Sequence, residues 1–270
     1  VDPLRSPLVD LFRRGEVPRD VKLLAARGAV APRAHEQLAI LILLAADPDA
    51  EIAAAAERTL EALPRPALEA FLARGDVAAD IKAFFAARGI VGRGAASGDE
   101  DGPIVDAHEE DLPEVALGEE AGAGQDDAEG EAAGRRRPLS ALTVVERMKL
   151  AMRGTREQRS VLIRDPNKLV AAAVLSSPRL TDTEVEAFAR MANVSEDVLR
   201  TIAGNRQWTR NYAVVAALAR NPKTPATISM PLVGRLNERD LKMLSVDRNV
   251  PEGLRIAARK LVVTNESRRR

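Results

Sequence analysis

The hydrophobic positions of this chain fall into short stretches with a helical period, not the strict alternation of strands. In the first third, "LFRRGEVPRDVKLLAARG" (11–28) and "FLARGDVAADIKAFFAARG" (71–89) share one pattern. Each runs Arg-Gly, an acidic residue, Val, then Asp, a β-branched residue, Lys and a closing Ala-Arg-Gly. Asp20 matches Asp80, Lys22 matches Lys82 and Gly28 matches Gly89, with a one-residue slip. Each copy predicts a short helix closed by glycine, which takes the left-handed conformation past a helix end without a Cβ clash. Between them, "DPDAEIAAAAERTLEALP" (47–64) sets Ile52, Ala55, Ala56, Thr59, Leu60 and Leu63 on one helical face. Asp47 is the expected N-cap there, with Pro48 at the first helical position.

The second half repeats itself. "RDPNKLVAAAVLSSPRLT" (164–181) aligns with "WTRNYAVVAALARNPKTP" (208–225) at an offset of 44, pairing Asn167 with Asn211, Val170 with Val214, Val174 with Leu218 and Pro178 with Pro222. A second register links "DVLRTIAGNRQ" (197–207) to "DLKMLSVDRNV" (240–250). Cap signals punctuate the pattern: a Thr181/Glu184 capping box, Ser195, Thr224 before Pro225, and Asn249-Val250-Pro251-Glu252 opening a last helix. Helical hairpins recurring about every 40–47 residues predict an α-solenoid, in which neighbours share one core.

Composition sharpens this all-α expectation. Apolar residues make up 46% of the chain but aromatics only 3%, so the core is built from Leu, Val, Ile and Ala. Charge divides the chain in three. Residues 1–91 carry 12 basic and 13 acidic side chains, 92–134 carry one and 14, and 135–270 carry 27 and 13, so a formal net charge of zero hides segments of −1, −13 and +14. The middle stretch, rich in Gly, Ala, Asp and Glu, has too little apolar surface to offset its ordering entropy and reads as a disordered linker. Within it, "PIVDAHEEDLPEVAL" (103–117) spaces Ile104, Val105, Leu112, Val115 and Leu117 as a short docking motif or as a less polar piece of linker. The expected organisation is an N-terminal helical domain (1–91), an acidic linker (92–137), a C-terminal helical-repeat domain (138–264) and a basic tail (265–270).

"ARNPKTPATISMPLVGRLNERDLKMLSVDRNVPEGLRIAARKLV" (219–262) resembles the ending of a bacterial helical-repeat family related to HEAT repeats and to variant leucine-rich repeats. The Asp-Pro-Asp start on an Ala-rich helix at 47–64 resembles one helix of a HEAT-type repeat. What these resemblances imply is a scaffold, with no catalytic motif to carry over. The iron–sulfur module found beside some variant leucine-rich repeats needs cysteines, and this chain has none.

Signals for chemistry are few. Without Cys, disulfides and thiolate sites are excluded. Of the two histidines, His35 reads as a helix-surface residue beside the Leu38/Ile42 stripe, and His108 sits in "DAHEED" as solvated charge. "GRGAASG" (92–98) lacks dinucleotide-binding spacing, and no P-loop, nucleophile elbow or HExxH motif occurs. No cofactor is expected, and no enzyme. No apolar run reaches the roughly 18–20 residues of a membrane span. No signal-peptide pattern opens the chain, so the expected location is cytoplasmic.

The candidate binding residues cluster in the basic part: Arg200, Arg206, Trp208, Arg210, Tyr212, Arg220 and Lys223. "NRQWTRNY" (205–212) holds the only Trp and the only Tyr. With Thr209 as cap, Trp208 and Tyr212 form an i,i+4 pair on one flank of the following helix and Arg210 points to the other. Both packing at a repeat junction and ligand contact fit this pattern. The function expected is a non-catalytic scaffold binding an acidic protein partner. Association with a nucleic-acid backbone through the same basic surface is the alternative.

Overall fold

A computed structural model describes residues 6–31, 33–93, 104, 115–116 and 137–268. Apart from 92–93, 104, 115–116 and 137, the acidic linker expected at 92–137 lies outside the described residues, as does His108. The described fold is all-helical except for one two-residue parallel pairing of β1 (Val115–Ala116) with β2 (Arg137–Pro138).

Among the described residues six α-helices come first: α1 (Pro7–Arg13), α2 (Arg19–Ala26), α3 (Ala34–Ala45), α4 (Ala50–Glu61), α5 (Arg65–Leu72) and α6 (Ala79–Ala86). α3 packs against α1, α2, α4 and α6, so Leu38, Ile40, Leu41 and Leu44 are all buried and its apolar positions run nearly all round. His35 is half-buried, not on an open surface as its pattern suggests. The stripe expected on α4 is present: Ile52, Ala55, Ala56, Leu60 and Leu63 are buried, and the Thr59 hydroxyl donates to the Ala26 carbonyl at 2.6 Å. Gly28 and Gly89 take φ of 84° and 74° after α2 and α6, the left-handed endings the duplicated pattern predicts.

The cap of α4 differs from expectation. Asp49 accepts from the Glu51 N–H at 3.0 Å, while Asp47 accepts from the Asp49 N–H and pairs with Lys22 at 2.8 Å. Asp47 therefore makes an Asx turn two residues before the cap, leaving the true capping position to the second aspartate, Asp49. Burial pushes Asp47 up, but the Lys22 ammonium and the Asp49 N–H together bring it below the ordinary carboxylate value.

Among the described residues nine α-helices follow: α7 (Val144–Arg153), α8 (Arg156–Leu162), α9 (Lys168–Ser176), α10 (Asp182–Arg190), α11 (Glu196–Gly204), α12 (Tyr212–Arg220), α13 (Ala226–Val233), α14 (Glu238–Val246) and α15 (Glu252–Arg268). Their order cycles in threes, with α8, α11 and α14 in one class, α9, α12 and α15 in the next, and α10 and α13 in the third. The 44-residue register matches α9 to α12 as expected. The second register pairs the right helices, α11 and α14, but is out by one residue: their caps, Ser195 and Asn237, stand 42 apart, not 43 or 44. The Thr181/Glu184 capping box and the Ser195 cap form as expected, and a further box, Thr143/Glu146, opens α7. Thr224 does not cap α13. Pro225 takes that position, and the Thr224 hydroxyl is buried without a hydrogen-bond partner.

The chain forms two compact units, residues 1–159 with 172–178, and residues 160–171 with 179–270. In the first, the Ser177 hydroxyl donates to the Met152 carbonyl at 2.8 Å. In the second, α12 packs against α10, α11 and α13, and α15 packs against α13 and α14. Val214, Val215, Leu218, Leu241, Leu244 and Leu254 are among the side chains this buries.

Candidate partner-binding site

The stretch between α11 and α12 is shaped by two asparagines. Asn205 accepts from the Gln207 N–H at 2.9 Å, turning the chain out of α11. A 3-10 turn, Trp208–Arg210, follows. Asn211 then caps α12 by accepting from the Ala213 N–H at 2.9 Å. Asn167 caps α9 in the same way, through the Leu169 N–H at 2.9 Å. The recurrent asparagine is therefore a structural cap, and it displaces Thr209, whose hydroxyl donates back to the Asn205 carbonyl. Since the cap lies at 211, Trp208 belongs to the turn and not to the helix, and the expected helical i,i+4 pair with Tyr212 does not form.

Tyr212 opens α12 and ties it to α14. Its hydroxyl accepts from the Asn237 N–H at 3.1 Å and donates to Asp240. The other Asp240 oxygen accepts from Arg220, at the far end of α12. Arg235 donates to the Thr209 carbonyl, covering the turn. Partial burial of the ring and the hydrogen bond to the Asp240 carboxylate hold the Tyr212 hydroxyl above its ordinary value.

The seven sequence candidates divide accordingly. Arg200 pairs with Glu196 one turn earlier on α11. Arg220 and Tyr212 are held by Asp240, although the Tyr212 ring remains 41% exposed. Lys223 reaches the Val194 carbonyl at 3.4 Å. Arg206 and Arg210 are exposed and Trp208 is half-buried, and none of the three has a side-chain partner among the described residues. Sequence reasoning missed Asp240, Arg235 and Asn221. Asn221 is 4% exposed and its amide donates to the carbonyls of Ala189 and Met191 at 2.8 and 2.9 Å. It stands 44 residues after Ser177, which closes onto Met152 in the same manner, so the alignment already contained that signal.

Among the described residues no group of three or more His, Asp or Glu is placed to hold a metal ion. Nor is any described helix long and apolar enough to cross a membrane. No protein-family model, curated protein or solved structure matches this chain.

Proposed function

We propose that this chain is a non-catalytic interaction scaffold that binds an acidic protein partner through the basic face of its C-terminal helical repeats, residues 138–264, in the cytoplasm. On this reading the repeats stack as an α-solenoid of the HEAT-like and variant leucine-rich-repeat kind, and the acidic segment 92–137 acts as a tethered polyanion beside them. The observation that supports it is the group Arg206, Trp208 and Arg210. The fold engages the other four candidates and, among the described residues, leaves these three without side-chain partners. Aromatic and arginine side chains of this kind are the usual anchors of protein interfaces.

The test is capture of a partner by the tagged intact chain, compared with the triple variant Arg206→Ala, Trp208→Ala, Arg210→Ala. Capture should fall by about tenfold or more with an unchanged circular-dichroism melt, and equal capture refutes the reading. The +14 charge of residues 135–270 favours a second reading, backbone association with nucleic acid. In a gel shift of the intact chain with mixed-sequence DNA and RNA, no binding near about 50 mM salt removes it.

A further inference from the structure

Two junctions in the second unit share one plan and differ in what fills them. α9 and α12 begin at Lys168 and Tyr212, 44 residues apart and each just after its capping asparagine. At α12 the junction is bridged by hydrogen bonds. The Tyr212 hydroxyl accepts the N–H of Asn237, the cap of α14, and Arg235 covers the Thr209 carbonyl. At α9 the corresponding cap is Ser195 of α11, the residue in the place of Arg235 is the shorter Asn193, and the residue in the place of Tyr212 is Lys168. Lys168 crosses to α11 and pairs with Asp197 at 3.0 Å, but an ammonium, unlike the tyrosine hydroxyl, offers no acceptor to a backbone N–H. A cleft of about 280 Å³ is left open there, between the loops that lead into α9, α11 and α13. Arg164, Lys168, Lys223, Asp165 and Asp197 give its wall three positive charges against two negative ones.

We propose that this cleft is a carboxylate pocket that takes an aspartate or glutamate side chain from an acidic partner peptide. One carboxylate oxygen accepts from the Ser195 N–H, as the Tyr212 hydroxyl accepts from the Asn237 N–H in the sister junction. The other oxygen faces Lys168 and Lys223, and such charge-assisted hydrogen bonds are the strong ones. A single net positive charge matches one carboxylate. A nucleic-acid strand would carry successive phosphates past Asp165 and Asp197, so the charge pattern favours the peptide. The pocket rests on the protein-partner reading and adds to it the chemistry of one contact.

The full isotope-labelled chain is titrated with an acetylated oligo-glutamate peptide, with inorganic phosphate and with a thymidine oligonucleotide, following backbone amides by NMR. The peptide should shift the amides of Ser195, Glu196 and Asp197. Lys223→Glu should weaken that response by about tenfold. Lys168→Tyr, which installs the side chain of the sister junction, should close the pocket and weaken it comparably. Both positions are exposed, and thermal melts check that the fold is kept. Peptide affinity at these amides retained in both variants overturns the proposal. Larger shifts with phosphate or the oligonucleotide than with the peptide overturn it as well, assigning the cleft to phosphates. Partner capture that needs Arg206 and Arg210 but persists in Lys168→Tyr leaves the scaffold reading standing and removes the pocket from it. Peptide binding lost in Lys168→Tyr, together with partner capture indifferent to Arg206 and Arg210, does the reverse.

Discussion

Tyr212 shows how one side chain can belong to both packing and surface. Its hydroxyl bridges Asn237 and Asp240, while 41% of the residue stays exposed. Because the folded state holds the phenol in its protonated form, its contribution is complete below the ordinary tyrosine value near 10 and is lost as pH rises through the higher folded value. Wild type should therefore lose stability more steeply than Tyr212→Phe above about pH 10, in urea melts recorded along a pH series. As the only tyrosine in the chain, it also reports its own titration through phenolate absorbance. Parallel slopes for the two proteins would show that the hydroxyl carries no such linkage.

At the scale of elements, the repeat is held in register by polar groups at helix ends as much as by its apolar stripes. Asp165, Asn205, Asn221 and Asp247 each accept from the N–H two residues on, turning the chain after α8, α11, α12 and α14. Asn221 adds a second function, because its buried amide satisfies two carbonyls at the end of α10. Asn221→Ala removes these bonds and strands the carbonyls away from water, a cost of about 2–3 kcal/mol. Lys223→Ala, two residues on and exposed, should cost less than about 0.5 kcal/mol. Urea denaturation of the two variants decides it, and equal stabilities would contradict this account of the helix ends. The stripes, glycine endings and capping boxes were legible in the sequence because each depends on neighbours within a turn or two. Cap positions were less so. At 47–49 and 209–211 two capping residues stand close together, and only the path of the backbone selects Asp49 and Asn211.

On the scale of the whole molecule, charge is the organising feature: −13 over residues 92–134 against +14 over 135–270. A tethered polyanion acts at high effective concentration on any basic surface that takes an acidic ligand. Deleting residues 99–131 should then tighten binding of the oligo-glutamate peptide at low salt, with the difference shrinking as salt screens it. Unchanged affinity at low ionic strength would dismiss the competition.

The sequence by itself determined the helical class, the aliphatic core, the 44-residue register and the division of charge. Those features follow from composition and from interactions local along the chain. The tertiary structure decided which of the seven candidate side chains are committed to the fold. Arg220 and Tyr212 meet Asp240, and Lys223 meets Val194, across separations of 20 to 29 residues, and no local pattern encodes such meetings. It also decided that one junction is bridged by Tyr212 and Arg235 while its sister, with Lys168 and Asn193, holds a cleft. Tyr212 and Lys168 both reach the first turn of the opposing helix. What separates the two junctions is whether the arriving side chain brings an acceptor for the N–H of the cap, which only the three-dimensional meeting reveals.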